Sequence, residues 1–441
     1  MSAVEIATQE AGEGVLRMTV TIAADEMAER IRKAAIMVAF RSEIAPDPAI
    51  APQEAVERKL GCDEAQARIA EQVMKDAVPF ALTQERIDIV GSPTFVSAHQ
   101  ASAGKPFEFI MECVPVPRFE LPSYAPVSIT VPPARVAGDA VAERIAAIAE
   151  QHATWEADSE KRPVRAGDVV ELSMETEKNG ERVAGLCRKS NRYTVGSFAM
   201  PDAFDEAVEG MEAGQSREVV YEGPSFETDG AGNPVMEEYR SRITVKRILK
   251  KAVPAVSDSW VAATVPGCAT VAELEARVRG SLEEEARSQQ AKQVEFLAAS
   301  ELAKRFDARI PDTVYEAAMD EAKREFAAKL AEEDTTLEDF LAQGNADEQQ
   351  LTVSLMMQVR EQLVHQFSLN ALAEHYGLSV DDSDMEAFFE SIAPGRAMQA
   401  RLDFERSGRL FAAQRAALRL KANRRLAAEA IIDELDGEGI G

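Results

Sequence analysis

The sequence predicts a multidomain α+β protein, with a small α+β head, an inserted β-rich domain and an elongated all-helical C-terminal body. Three observations carry that prediction. The first 115 or so residues mix strand-period and helix-period patterns. Six prolines between residues 115 and 133, and a second change of composition near Pro163, mark boundaries. From about residue 256 onward only the helical period recurs, in a chain whose aromatic content is 6%. A length of 441 residues fits about three domains, and a hydrophobic fraction of 46% supplies more than one core.

In the head, Leu16, Met18, Val20 and Ile22 alternate with polar residues, which predicts a half-buried strand. Asp25 is the expected cap of a helix whose apolar stripe is Met27, Ile31, Ala34, Ala35 and Val38. A Pro-rich loop from Phe40 to Pro52 ends it, and a second helical stretch runs from about Asp63 to Leu82. Strands are expected at Ile87 to Val90, continuing past Gly91 and Pro93, and at Phe107 to Val114. The prolines of 115–133 read as an extended linker. Beyond it, Val141, Ile145, Ile148, His152 and Trp155 at spacings of four and three predict a helix.

The inserted domain opens with a strand from Val169 to Glu175 and a hairpin signal at Asn179-Gly180. Further strands are expected around Tyr193, Tyr221 and Ile243 to Ile248, with a short helix from Ala203 to Val208. The helical body shows stripes at Leu274, Val278 and Leu282, at Val314, Ala318, Ala322, Phe326 and Leu330, and at Leu351, Leu355, Val359, Leu363 and Phe367. A last long helix is expected from about Arg401 to Leu435. The resulting divisions are 1–115, 116–160 (a linker and a helix packing on the body), 161–250 and 251–441.

The formal net charge is −27, which argues against a general nucleic-acid binder and favours solubility. No apolar run approaches the ~18 residues that span a bilayer, and the N-terminus has no ordinary secretory signal. Cys62, Cys113, Cys187 and Cys268 form no Cys-x-x-Cys pair, so reduced thiols in a cytoplasm are expected, with neither a disulfide framework nor a zinc site. None of the four histidines falls at a ligand spacing, and no nucleotide-binding or nucleophile-elbow motif is present, so no metal and no cofactor is expected. Two charge runs stand out. Residues 406–425 hold Arg406, Arg409, Arg415, Arg419, Lys421, Arg424 and Arg425 without an acid, while 331–350 hold seven acids without a base. They read as helix faces that attract each other, or as a basic groove for acidic or nascent peptides. Met356-Met357 reads either as core or as a soft binding surface.

Several stretches resemble one family. The opening Thr19-Val20-Thr21-Ile22-Ala23-Ala24-Asp25, the later Gly91-Ser92-Pro93-Thr94-Phe95-Val96, the helix end Gln151-His152-Ala153-Thr154-Trp155, and Ala308-Arg309-Ile310-Pro311 in the body all resemble the bacterial trigger factors. The order of parts matches over essentially the whole chain. The resemblance implies a cytoplasmic, ATP-independent chaperone that shields nascent or unfolded polypeptides at the exit tunnel of the large ribosomal subunit. It also implies an FKBP-type peptidyl-prolyl isomerase domain over 161–250. No membrane or free nucleic acid is implied, and a second copy of the chain is a candidate partner.

The family's ribosome-docking loop reads Gly-Phe-Arg-x-Gly-x-x-Pro, and here the matching stretch is Ala39-Phe40-Arg41-Ser42-Glu43-Ile44-Ala45-Pro46. The resemblance assigns ribosome contact to Phe40, Arg41 and Pro46. Ala39 and Glu43 replace the glycines, and Ile44 stands where lysine is usual. An added anion and a lost cation cost roughly one to a few kcal/mol of docking at low salt. A helix-ending turn with no partner is the other reading of this stretch. In the isomerase the family uses an aromatic-lined proline pocket that favours the twisted amide. Met174, Val183 and Ser241 stand where aromatics are usual, while Met200, Phe204 and Phe226 remain. Met174, Val183, Met200, Phe204 and Phe226 are therefore the expected remnant pocket. Three functions stay open: a nascent-chain chaperone, a protein whose main activity is isomerisation, and a ribosome-independent holdase or assembly chaperone with an inactive isomerase-like domain.

Overall fold

The computed structural model describes residues 4–12, 14–197, 199–228, 234–344 and 347–434. The chain forms two compact units, one of Met1–Pro133 with Ser288–Gly441 and one of Ala134–Arg287.

The first unit begins with strands β1 (Glu5–Gly12) and β2 (Val15–Ile22), followed by helices α1 (Met27–Arg41), α2 (Pro52–Leu60) and α3 (Cys62–Glu85). Strands β3 (Ile89–Ala98), β4 (Phe107–Pro115) and β5 (Ser128–Val131) come next. The sheet order is β1-β2-β4-β3, with Met18 opposite Met111, Val20 opposite Phe109 and Ile22 opposite Phe107. Period-two alternation puts all six of these side chains on the face that α1 and α3 cover. The α1 stripe is buried as its spacing predicts, but Asp25 does not cap it. The cap position is Glu26, which makes no side-chain cap bond and instead pairs with Arg30 one turn on. Strand β1 and helix α2 carry no period clear enough to read from sequence. In β1 only Ile6 is even half-buried, because the strand lies at the sheet edge.

The second unit holds α4 (Ala140–Gln151), β6 (Thr154–Ala157), β7 (Val169–Lys178), β8 (Glu181–Arg182), β9 (Arg188–Thr194), α5 (Asp202–Val208), β10 (Ser216–Thr228), β11 (Pro234–Ala252), α6 (Asp258–Thr264) and the first half of α7 (Val271–Ala303). Its sheet runs β10-β11-β7-β8, with β6 added on β11 and β9 on β7. Asn179 and Gly180 both take left-handed φ, 52° and 82°, as a two-residue hairpin turn requires. Helix α4 is shorter than its periodicity suggests. It stops at Gln151, His152 caps it and is exposed, and Trp155 sits in β6 opposite Lys251. The 4-3-4-3 spacing therefore continues past the helix by coincidence. Trp155 instead lies under the Arg192 guanidinium, 5.4 Å from the ring centre.

The chain returns to the first unit through the second half of α7 and continues with α8 (Asp312–Glu332), α9 (Leu337–Gly344), α10 (Glu348–His375), α11 (Asp382–Ile392), α12 (Ala397–Arg406), α13 (Leu410–Glu429) and β12 (Ile431–Glu434). Val314, Val359, Leu363 and Phe367 bury together as their stripes predict. Three readings need correction. The expected single helix from Arg401 to Leu435 is two helices. Gly408 breaks it at φ 73°, where a Cβ would lie 2.7 Å from the Phe80 ring. The body is not purely helical, because β12 pairs in parallel with β5 inside the Pro-rich linker. The basic run does not face the acidic run of 331–350. Arg415 and Arg419 meet Asp88, Lys421 meets Asp384, Arg424 approaches Glu295, and Arg425 meets Glu429. Opposite charges on one chain find the nearest packed element, whatever their grouping in sequence.

Candidate functional site

Two places gather the residues that the sequence singles out. The first is the end of α1. There the amide of Ile44 donates to the carbonyl of Ala39 at 2.9 Å, and that of Glu43 to the carbonyl of Phe40 at 3.2 Å. These are the paired 6→1 and 5→2 bonds of a Schellman cap, with Glu43 in the left-handed conformation at φ 53°. Ile44, half-buried against the head core beside Ala39, supplies the apolar contact that usually accompanies it.

The cap throws Phe40 outward. Its side chain is 78% exposed, and Ile36 and Met37 on the same helix are also exposed. Water gains nothing from a bare phenylalanine, so its exposure points to a partner. Arg41 donates from Nη1 to Oε1 of Gln72 at 2.9 Å, and Gln72 donates on to Asp76 at 2.7 Å, which ties the loop to α3. Pro46 is exposed in the loop beyond. Arg41, Arg68 and Lys75 line one groove beside the loop, together with Val38, Gln72 and Glu71, the last paired with Lys75 at 2.7 Å. Sequence reasoning missed Arg68 and Lys75. Their spacing of seven, two helical turns on α3, was the available signal.

The second place is the core of the β-rich domain. Met174 and Phe204 are buried in one cluster, with Val183 and Met200 half-buried against it. The side chain of Phe226 lies outside the described residues. The structure therefore brings four of the five expected pocket residues together. Phe204 is 1% exposed, so only Val183 and Met200 present a face to a ligand without movement. Three tyrosines that the sequence reading did not assign surround Phe204. Tyr193 and Tyr221 meet it edge to face at 5.2 and 6.1 Å, and Tyr239 stacks beyond Tyr221 at 6.0 Å.

Their hydroxyls need partners when buried, and each finds one. Tyr193 donates to Oδ1 of Asp205 at 2.6 Å, and burial, reinforced by this bond, pushes its phenol above the usual range. Tyr221 lies 3.1 Å from the Ser241 hydroxyl, itself 2.7 Å from the Thr176 hydroxyl. Ser241, which replaces an aromatic, is thus the middle of a buried hydroxyl chain. Elsewhere, Val353, Met356 and Met357 on α10 are exposed, which settles the methionine pair as surface. Among the described residues no group of three His, Cys, Asp or Glu side chains is placed to hold a metal, and no helix is long and apolar enough to cross a membrane.

An outward aromatic on a capped helix end and exposed methionines are equipment for holding other macromolecules, which is the character of a chaperone. The family model for the bacterial trigger factor protein matches residues 4–148, and that for the bacterial trigger factor C-terminus matches residues 270–433. The chain belongs to the bacterial trigger factor family. It is 28% identical over 399 residues to the trigger factor of Acidothermus cellulolyticus, covering 85% of this chain and 83% of that one. To the trigger factor of Rhodococcus jostii it is 24% identical over 342 residues, covering 77% and 71%. A solved trigger factor chaperone structure, from work on promiscuous substrate recognition in folding and assembly, aligns over 96% of this chain and 99% of that one at 19% identity and a TM-score of 0.43. The protein is a ribosome-associated chaperone that binds nascent polypeptides.

Proposed function

We propose that this chain works in the cytoplasm without ATP, docking beside the exit tunnel of the large ribosomal subunit through Phe40, Arg41 and Pro46 and shielding emerging chains. The observation that supports this reading most is the 78% exposure of Phe40 on a helix end closed by a Schellman cap. Arg68 and Lys75 lie beside Arg41 in the same groove, each paired with a glutamate of α3, Glu64 and Glu71, so Arg41 is the cation left for ribosomal RNA. Residues 1–115 form the docking part in this scheme, and exposed apolar side chains such as Met357 and Phe296 serve clients.

Ribosome co-sedimentation at low and physiological salt tests it, with Phe40→Ala and Arg41→Ala as controls. Phe40 is 78% exposed, so Phe40→Ala should leave stability within about 0.5 kcal/mol yet lower ribosome binding at least tenfold. Binding that survives both substitutions overturns the docking assignment. No binding by the unaltered chain leaves the ribosome-independent holdase.

For the β-rich domain we propose a weak peptidyl-prolyl isomerase whose pocket is entered at Val183 and Met200, with Met174, Phe204 and Tyr221 buried behind them. Its support is the clustering of these side chains. A proline-limited refolding reaction accelerated at substoichiometric dose, and slowed by Phe204→Ala more than by Tyr239→Phe, would bear this out. No acceleration by the unaltered chain refutes it. A homodimer is a further partner, checked by sedimentation equilibrium.

A further inference from the structure

Within the first unit, a cavity of about 290 Å³ lies where the end of α3 and the chain after β4 meet α10 and α13. Its polar wall is Arg86, Asp88, Arg118, Asn370, Glu374 and Arg415, and its apolar wall includes Phe119 and Phe411. None of these residues belongs to the docking loop or the β-rich domain.

The charges in this wall are unbalanced. Arg415 donates to Asp88 at 3.2 Å, and Arg419, one turn further along α13, approaches the same oxygen at 3.5 Å. Arg118 pairs with Glu374 at 3.5 Å. Arg86 meets no carboxylate among the described residues and lies over the Phe411 ring at 5.3 Å. Three lining arginines, Arg86, Arg118 and Arg415, thus face two lining carboxylates, each already engaged, in a chain whose net charge is −27. General attraction does not bring an anion to an acidic body, so such a concentration of guanidinium marks short-range recognition.

Asn370 supplies the second observation. It is 7% exposed, and neither Nδ2 nor Oδ1 has a hydrogen-bond partner. Buried without partners, this amide leaves one donor and one acceptor of the cavity lining to be satisfied by a ligand. One donor and one acceptor together match a peptide group.

We propose that this cavity binds the carboxylate end of a peptide segment. Arg86 and Arg415 hold the carboxylate, Asn370 pairs with the adjoining peptide group, and Phe119 and Phe411 flank an apolar side chain. The volume suits about one or two residues. A dianionic phosphate fits less well, because Asp88 and Glu374 stand in the wall and nothing matches the apolar side. The inference is independent of ribosome docking, since peptide binding and ribosome co-sedimentation can fail separately.

The test is calorimetric titration of the full chain with acetyl-Ala-Phe bearing a free carboxylate, with its C-terminal amide, with acetyl-Ala-Glu-Phe-amide and with inorganic phosphate. The free acid should bind at least tenfold more tightly than the plain amide. Equal binding of the glutamate peptide extends the site to acidic side chains, and binding of the free acid alone restricts it to chain ends. Arg86→Gln should weaken the acid at least fivefold. Asn370→Ala should also weaken it while leaving the melting temperature unchanged or raised, because it removes unpaired polar atoms from the interior. A merely structural asparagine predicts no change in binding. Acid and amide bound alike, phosphate bound more tightly than the acid peptide, or Asn370→Ala binding normally would overturn the assignment.

Discussion

Glu43 carries two separable effects, one on the fold and one on the partner. At φ 53° it sits where a side chain costs roughly 1–2 kcal/mol relative to the ordinary helical conformation. Replacing it with glycine removes that cost but adds about 0.5–1 kcal/mol of chain entropy to the unfolded state. The net expectation for Glu43→Gly is a gain of about 0.5–1 kcal/mol. Glu43→Gln keeps the strain and removes only the charge, so its stability should not move. Against the ribosome, a unit charge ~8 Å from a phosphate in water interacts by ~0.5 kcal/mol, and two such phosphates give ~1 kcal/mol, or about fivefold in Kd. Both variants should therefore bind ribosomes about fivefold more tightly at low salt, with the gain shrinking at physiological salt. Urea denaturation and ribosome co-sedimentation at two salt concentrations read the two effects. A Glu43→Gln protein that binds no more tightly would refute the charge argument. A Glu43→Gly protein that unfolds at lower urea would refute the geometric one.

Gly408→Ala should destabilise the first unit by about 2 kcal/mol or more in urea, since the new Cβ meets the Phe80 ring at 2.7 Å and φ is 73°. In the second unit, the Arg162 guanidinium grips Asp168 through two bonds of 2.5 and 2.9 Å and, with the Arg165 amide, holds its carboxyl below the usual range. A depressed carboxyl contributes stability above its unfolded pKa of about 3.9 and loses it as pH falls through the lower folded value. After screening, Asp168→Asn should cost about 1 kcal/mol at pH 7 and nothing at the acid end, so its stability should fall less steeply than wild type below pH 4. Burial pushes the Cys113 thiol up to about 11, which leaves roughly one thiolate in a thousand at pH 8. Exposed Cys62 should label quickly with a thiol reagent, while Cys113 labels only as the head opens.

The parts of the fold legible in sequence were those with a clean period and one buried face. Strand β2 and the stripe of α1 are examples, where each apolar residue has one fate. Edge strand β1 and terminal strand β12 were not legible, because their residues are mostly exposed and their pairing partners lie elsewhere in the chain. The helix break at Gly408 was written in the sequence as a glycine. Its force comes from Phe80, more than 300 residues away, which no local pattern reports. The same distance explains Asp88. As a single acid at the foot of β3 it looked unremarkable, yet it anchors Arg415 and Arg419.

The candidate site was legible where function needs a local conformation and illegible where it needs a packed cluster. The loop after α1 could be found because the position of the family pattern's second glycine is here Glu43, the residue that turns left-handed where the helix ends. This chain reaches the same turn with Glu43, and the structure shows how. The first glycine position, Ala39, lies inside the helix, where alanine is worth about 1 kcal/mol more than glycine. Ile44, where a lysine is usual, packs against the head core and supplies apolar anchoring that a lysine at this position would not. The loop thus exchanges cationic attraction for mechanical rigidity. Under the proposed docking, affinity rests on Phe40 and Arg41, because the α3 cations beside them, Arg68 and Lys75, are each paired with a glutamate.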